Sequence, residues 1–258
     1  MTRAKIRYSA LAAALLLAYL APGASVFSQE AAPEPVPAAC AAPHDLIVDD
    51  PRFPLLARRF HAKQPVTIVV IGGASTAGTA AGEGEANAYP HRLEEALRRR
   101  HPGVPITVIN QGIPRQSAQD MVDRFAQDVI PHDPNLVIWE TGTVDAVRGI
   151  DVEDFAAAIQ AGASLLRKHK AEIMLVDMQY NPRTNSIINF EPYIETMRQI
   201  ADLEEIYVFR RYDIMRYWSD AGSFDLVNVP KGKQAGLAEQ IYRCLGERMA
   251  DAIDYAAR

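Results

Sequence analysis

The hydrophobic positions of this chain follow two alternating periods, one typical of buried strands and the other of amphipathic helices. Residues 67–71 form a continuous apolar, β-branched run that gives way at Gly72 to small residues as far as Gly78. This pattern predicts a strand buried on both faces and followed by a tight turn. Further strands are predicted at 106–110, 135–141, 173–178 and 206–209. Helical spacing predicts helices at 51–63, 88–101, 117–130, 152–168, 192–203, 211–218 and 232–255.

Strands that alternate with helices imply right-handed crossovers, and therefore a parallel sheet covered by helices on both faces. The predicted fold class is α/β, a three-layer α/β/α domain with about five parallel strands. Ligands of such sheets bind beyond the carboxyl ends of the strands. Residues 72–78 are therefore expected to border the binding pocket.

The composition indicates the number of domains and excludes one class of partner. The chain has 258 residues, 48% hydrophobic and 23% charged, which is enough for one sizeable core and indicates a single domain. The formal net charge of −5 argues against nucleic acid as a partner, because binding to phosphates requires a basic face.

The N-terminus has the features of a secretory signal peptide. Basic residues precede an apolar core at 11–20, and small residues offer a cleavage site before Gln29. We predict a signal peptide at 1–28, a Pro/Ala-rich linker at 29–50 and the folded domain at 51–258, in a periplasmic or secreted protein. An uncleaved membrane anchor is the alternative for the leader, and no later segment is predicted to cross a membrane.

The chain has two cysteines, Cys40 in the predicted linker and Cys244 near the C-terminus. In an oxidising compartment these residues could form a disulfide that fixes the linker to the last helix. The alternative is a free Cys40 and a buried Cys244.

Four groups of residues at the predicted strand ends and before the last helix resemble the motifs of the SGNH (GDSL-type) hydrolases. They are the turn at 72–78, Gly112, the segment Gly142-Thr143-Val144-Asp145, and Asp225 with Asn228. The resemblance covers about 65–250 and implies a flavodoxin-like fold. It also implies the roles of a serine esterase, in which Ser attacks an acyl carbon, His takes its proton, Asp orients the His, and Gly and Asn help to form the oxyanion hole.

This sequence departs from those motifs at the positions that carry the chemistry. Val144 stands where the oxyanion-hole Asn is expected, and Asn228 stands where the His is expected. The first motif has two possible registers. Matching 73–75 makes Ser75 the nucleophile, whereas matching 72–74 explains more of the following residues and puts Ala74 in that position. We prefer the second register, in which all three side chains are missing.

The sequence therefore predicts a pseudoenzyme that keeps a pocket and, by resemblance, binds an acylated glycan or a small ester. The predicted pocket residues are Ala74, Ser75, Gly112, Val144, Asp225 and Asn228. One alternative is an active serine esterase, acting on carbohydrate O-acyl or lipid esters, that uses Ser75 with Asp225. Another is a non-enzymatic accessory or scaffold protein whose protein partner is unknown.

Three further residues, Arg115, Gln179 and Arg183, are candidate polar contacts to the ligand, although each could equally be a solvated loop residue. No spacing of Cys and His suggests zinc, and the glycines of the first turn do not form a phosphate-binding motif. We therefore expect no metal and no cofactor.

Overall fold

The computed structural model describes residues 37–82 and 85–258 and has a parallel five-stranded sheet at its centre. The strands are β1 Val66–Gly72, β2 Ile106–Gly112, β3 Leu136–Glu140, β4 Glu172–Val176 and β5 Tyr207–Phe209. Their spatial order is β2-β1-β3-β4-β5, and every neighbouring pair is parallel. This confirms the predicted flavodoxin-like sheet. The order reverses between β1 and β3, and such a switch point leaves a crevice at the carboxyl ends of the strands.

Helices cover both faces of the sheet. They are α1 His44–Ile47, α2 Pro54–His61, α3 Tyr89–Arg100, α4 Ala118–Asp123, α5 Phe125–Asp128, α6 Thr143–Arg148, α7 Val152–Lys168, α8 Pro182–Asn185, α9 Glu191–Glu204, α10 Arg211–Asp220 and α11 Gln234–Ala256. Buried side chains of α1, α2, α3, α10 and α11 pack on one face, and those of α4, α5, α6, α7 and α9 pack on the other. The three-layer α/β/α prediction is confirmed. None of the helices within the described residues is long and apolar enough to span a bilayer.

The side chains of β1 divide between the two helical layers. Ile68 and Val70 belong to the cluster that contains α3 and α11, whereas Val69 and Ile71 belong to the cluster that contains α4 and α7. Successive side chains of a strand point to opposite faces of the sheet. A strand covered on both faces must therefore be apolar at every position, which explains the unbroken hydrophobic run in the sequence.

The segment before the first strand corrects the predicted domain boundary. Residues 1–36, which include the predicted signal peptide and the first part of the linker, lie outside the described residues. From 38 onwards, however, the chain is not a loose linker. Cys40 is fully buried and forms a disulfide with Cys244, with a Cα–Cα distance of 5.0 Å. Ile47 is buried, and its carbonyl accepts a hydrogen bond from the Tyr207 hydroxyl at 2.6 Å. The Pro/Ala composition suggested an extended chain, but the disulfide and these contacts attach it to α11 and to the sheet.

Candidate functional site

The turn after β1 packs closely over the ends of β2 and β3, and two glycines make this approach possible. A Cβ atom on Gly72 would lie 2.1 Å from Thr76 Oγ1 and 2.9 Å from Glu140 Cβ. A Cβ atom on Gly112 would lie 2.3 Å from the backbone nitrogen of Ala77. Any side chain at either position would push the turn away from the sheet.

The turn exposes Ala74 and buries Ser75. Ser75 is only 6% exposed, and its Oγ accepts a hydrogen bond from Arg211 Nη1 at 2.9 Å. Ser75 also hydrogen-bonds to the Glu140 carboxylate. Its hydroxyl is thus held against the protein interior, and Ala74 is the residue that the turn presents to solvent.

A buried network of polar side chains lies beneath this turn. Arg211 and Glu140, which are 1% and 4% exposed, form an ion pair with an Nη2–Oε1 distance of 3.1 Å. Thr76 donates to Glu140 Oε2 through its backbone nitrogen at 3.1 Å and through its hydroxyl. The Tyr89 hydroxyl lies 2.8 Å from Thr76 Oγ1 and completes the network.

The network keeps Glu140 ionised. Burial alone would raise the pKa of this carboxyl, but the Arg211 guanidinium and the hydrogen bonds from Thr76, Ser75 and Arg211 outweigh it and lower the pKa. Burial and the neighbouring Glu140 charge raise the pKa of Tyr89. Sequence reasoning missed Glu140, Arg211 and Tyr89. The available signal was a single acidic residue in an otherwise apolar strand, because a buried carboxylate needs a cationic partner.

A cleft of about 240 Å³ opens above the network at the carboxyl ends of β1 and β3. The structure brings five of the predicted residues together around it: Ala74, Ser75, Arg115, Val144 and Gln179. Val144 lies on α6, a helix that the sequence reading did not predict. Its side chain is apolar, so it offers no hydrogen bond to a developing oxyanion.

The other predicted site residues lie elsewhere, which corrects the single pocket floor expected from the motifs. Gly112 packs under the turn, and its N–H donates to Asn110 Oδ1 at 2.9 Å. Asp225 and Asn228 lie on an exposed loop and border a separate surface cavity of about 500 Å³. Ser75 and Asp225, the residues of the alternative esterase mechanism, border different cavities, and the Ser75 hydroxyl is bonded to Arg211 and Glu140.

The Asp225 side chain takes part in a local turn. Asp225 Oδ1 accepts hydrogen bonds from the backbone N–H groups of Asn228 and Val227, each at 2.9 Å. These two bonds lower the pKa of the Asp225 carboxyl, and the bond from Asn228 has the larger effect. The Asp225 carboxylate therefore accepts hydrogen bonds from its own loop, as in an Asx turn. Arg183 borders a third cavity that adjoins the cleft.

Two threonines of the cleft carry hydroxyl groups without a hydrogen-bond partner. Thr141 is 2% exposed, and Thr143 follows it at the start of α6. Both Oγ1 atoms are buried and unpartnered, and both residues line the cleft. A buried hydroxyl without a partner costs free energy, so these two hydroxyls are the unsatisfied polar groups of the residues that line the cleft.

The rim of the cleft carries further polar groups. Arg115 has a positive φ of 69°, an uncommon conformation for a residue other than glycine, and its carbonyl accepts a hydrogen bond from Arg148 Nη2 at 2.7 Å. Tyr242 of α11 lines the opposite wall, where burial and the Glu140 charge raise its pKa to about 12, so it remains a hydrogen-bond donor at neutral pH. Among residues 37–82 and 85–258, no group of three or more His, Cys, Asp or Glu side chains is placed to hold a metal ion.

The parallel sheet, its strand order and the cleft at its carboxyl edge define the class of the SGNH-type hydrolase fold. Within that class, the chain belongs to the non-GDSL lipase-like family, whose model matches residues 39–258. No curated protein matches the chain in sequence.

Solved structures share the fold at low sequence identity. A lipolytic protein of the G-D-S-L family from Desulfitobacterium hafniense DCB-2 is 22% identical with a TM-score of 0.53, over 72% of this chain and 98% of that chain. A two-domain esterase active on acetylated mannans is 19% identical with a TM-score of 0.58, over 78% of this chain and 55% of that chain. A mutant of an acetyl-xylooligosaccharide esterase from Geobacillus is 20% identical with a TM-score of 0.54, over 70% of this chain and 94% of that chain.

Proposed function

We propose that this protein is an extracytoplasmic, non-catalytic member of its hydrolase family that binds an acylated glycan or a small ester in the cleft. The observation that carries the proposal is the turn after β1. Ala74 is exposed where a nucleophile would be needed, and the adjacent Ser75 hydroxyl is held by Arg211 and Glu140. Ala has no group that can attack an acyl carbon.

The other parts of an acyl-transfer site are also missing from the cleft. Val144 donates no hydrogen bond, and the Gly112 N–H is already bonded to Asn110. Asn228 replaces the His of the sequence motif, and it lies outside the cleft. Loss of one oxyanion donor costs about 10²–10³ in turnover, and loss of a nucleophile or base costs about 10⁶ in a comparable triad. Either loss leaves little hydrolysis.

The cleft nevertheless has polar side chains among its lining residues. The unpartnered hydroxyls of Thr141 and Thr143 can each donate and accept a hydrogen bond, and Tyr242 can donate one. Acylated sugars are the ligand class we infer. The similarity in fold to esterases of acetylated mannans and xylo-oligosaccharides supports that class.

Labelling with a serine-directed fluorophosphonate and hydrolysis of p-nitrophenyl acetate test the lack of catalysis. We expect the mature protein and the Ser75→Ala variant to behave alike, with no labelling and no hydrolysis above background. Labelling of the wild-type protein that disappears in Ser75→Ala would show instead an active serine esterase.

Binding is tested separately by thermal denaturation in the presence of acetylated mono- and oligosaccharides. We expect a rise in melting temperature, because a ligand that binds only the folded state stabilises it. If no acylated sugar changes the melting temperature and the protein retains a partner from a periplasmic extract, the accessory or scaffold function replaces ligand binding.

The proposed location is the periplasm or the cell exterior. The Cys40–Cys244 disulfide supports it, since disulfides persist mainly in oxidising compartments. N-terminal sequencing of the protein from a periplasmic fraction should begin at Gln29. A chain that starts at Met1 and sediments with membranes would indicate an uncleaved anchor.

A further inference from the structure

The charged side chains that line the cleft do not balance each other. Among the described residues of its lining, Arg115 and Glu140 are charged and the others are not. The Glu140 carboxylate is already neutralised, because Arg211 pairs with it at 3.1 Å beneath the turn after β1. The described lining of the cleft therefore keeps one positive charge, that of Arg115, in a chain whose formal net charge is −5.

The Arg115 guanidinium is exposed and does not take part in the contacts that hold the fold. Within the part of the chain that the structure describes, no hydrogen bond or ion pair joins it to another residue. The acidic residue of the next helix, Asp120, instead pairs with Arg148 at 3.4 Å and accepts a hydrogen bond from the Ser117 N–H at 2.9 Å. The charge of Arg115 is thus not compensated by these neighbours.

The backbone of the Arg115 loop is held by other side chains. Arg148 Nη2 donates a hydrogen bond to the Arg115 carbonyl at 2.7 Å, and Arg124 Nε donates one to Gln116 Oε1, also at 2.7 Å. Because these bonds do not involve the guanidinium, replacing the Arg115 side chain should leave the loop in place. The guanidinium itself extends from a fixed point on the lining of the cleft.

A guanidinium on the lining of a cleft has a preferred kind of ligand. Its parallel N–H donors match the two oxygens of a carboxylate, and hydrogen bonds between charged partners are stronger than neutral ones. A single positive charge also balances a single negative charge, as on a carboxylate. A phosphate monoester carries about −1.5 to −2 at neutral pH, so one guanidinium would balance it only in part.

We propose that the cleft selects acylated sugars that carry a carboxylate, such as acetylated uronic acids, and that Arg115 binds this carboxylate. This inference rests on the proposed binding function and narrows the ligand class from acylated sugars in general to acidic ones. Arg115 then determines specificity, whereas the uncharged residues of the cleft contact acidic and neutral sugars alike.

The test compares two sugars that differ in one group, methyl 2-O-acetylglucuronoside and methyl 2-O-acetylglucoside, by titration calorimetry. The first has a carboxylate where the second has a hydroxymethyl group. We expect the acidic sugar to bind about tenfold more tightly at low salt, because it adds a charge-assisted hydrogen bond at an exposed site. The advantage should disappear in about 1 M salt, where the Debye length is about 3 Å, while the affinity for the neutral sugar stays the same.

Three results of this comparison would contradict the inference in different ways. Equal affinities for the two sugars at low salt would overturn it but leave the proposed function intact. Sodium acetate supplies a carboxylate without a sugar, and acetate that binds as tightly as the acidic sugar would show that a simple acid is the ligand. Absence of binding by either sugar would remove the proposed function as well.

Variants of Arg115 locate the carboxylate. Arg115→Gln should reduce the affinity for the acidic sugar to that for the neutral one, and Arg115→Lys should keep part of the advantage because it keeps the charge. Lys168→Gln is the matched control. It removes one positive charge from the exposed end of α7, at the opposite edge of the sheet from the cleft, and should keep the full advantage.

Arg115→Asn provides a second variant if Arg115→Gln does not fold. Asn adopts a positive φ more readily than most residues, so it suits the φ of 69° at this position. It should fold with unchanged stability and bind the two sugars equally. A folded Arg115→Gln or Arg115→Asn variant that still prefers the acidic sugar contradicts the proposal.

Discussion

Ser75 and Thr141 both carry hydroxyl groups beside the cleft, and their surroundings give these hydroxyls different roles. The Ser75 hydroxyl has two partners, Arg211 and Glu140, whereas that of Thr141 has none. The Ser75 hydroxyl, which has the chemistry of a nucleophile, is thus hydrogen-bonded, and the Thr141 hydroxyl is buried without a partner. Residue type in the sequence did not distinguish these environments.

Thr141→Val removes the unpartnered hydroxyl with little change in shape. We expect the free energy of unfolding to be unchanged or to rise by up to about 1 kcal/mol, because the substitution removes a buried polar group without a partner. Binding of the ester should weaken roughly fivefold to tenfold, since one hydrogen bond contributes about 1 kcal/mol.

Thr76→Val serves as the control, because the Thr76 hydroxyl is bonded to Glu140 and Tyr89. It should destabilise the protein by about 1–3 kcal/mol. A Thr141→Val variant that loses stability as Thr76→Val does would show that the Thr141 hydroxyl has a structural partner instead.

Arg211→Met leaves the Glu140 carboxylate buried without its cation. Removal of one member of a buried ion pair costs about 3–5 kcal/mol, so we expect a loss of that size in urea denaturation. Arg216→Met, on the exposed side of the same helix, should change stability by less than about 0.5 kcal/mol. Adding Glu140→Gln to Arg211→Met should recover part of the loss, because a neutral amide needs no cation. A loss of less than about 1 kcal/mol in Arg211→Met would contradict the role of the pair.

Elements with strong local patterns were predicted well, and those shaped by distant contacts were not. The helix predicted at 152–168 is observed with those bounds. The helix predicted at 117–130 is instead divided into α4, α5 and a 3-10 turn, Ile130–His132. The break lies at Arg124, which donates hydrogen bonds to the Gln111 carbonyl and the Gln116 side chain, both at 2.7 Å. The apolar period continues through the break, so periodicity alone could not reveal it.

Asp177, directly after β4, should make the stability of the protein depend on pH. Asp177 is fully buried, and burial raises its pKa to about 6 despite the attraction of Arg198 on α9, a hydrogen bond from the Tyr212 N–H, and the Arg211 charge. Asp213 of α10 adds to the rise. A raised pKa means that the folded state binds this proton more tightly than the unfolded state, so the contribution to stability is present below about pH 4 and is lost as pH rises to about 6.

Comparison of the wild type with Asp177→Asn isolates this contribution, because the amide does not titrate. The stability of the wild type relative to the variant should fall by on the order of 3 kcal/mol between pH 4 and pH 7. Urea denaturation across that range measures it, and NMR of the carboxyl carbon should give a midpoint near pH 6. A difference in stability that does not vary with pH would contradict the prediction.

At the scale of the whole molecule, the disulfide connects two ends of the described chain across a sequence separation of 204. It attaches the segment before α2 to α11, next to contacts such as that between Trp218 Nε1 and the Ala41 carbonyl at 2.9 Å. The first and last parts of the domain therefore stabilise each other.

Cys40→Ala with Cys244→Ala should reduce the free energy of unfolding by about 2–4 kcal/mol, because the crosslink restricts the unfolded chain. Limited proteolysis should then cleave the region 38–50 before the rest of the domain. Dithiothreitol should destabilise the wild type and leave the double variant unchanged. A wild-type protein whose stability does not respond to reduction would show that the other contacts of this segment suffice.

The sequence by itself determined the order of strands and helices, because local hydrophobic periods reflect burial on one or both faces. It also determined which chemical groups are available at the motif positions, since Ala74, Val144 and Asn228 lack the functions of a nucleophile, an oxyanion donor and a base. Only the tertiary structure decided where those positions lie. The contacts of Ser75 and Glu140 with Arg211 span 136 and 71 residues, and Asp225 and Asn228 border a surface cavity that is separate from the cleft. Such contacts depend on how the elements pack, and no local pattern in the chain encodes them.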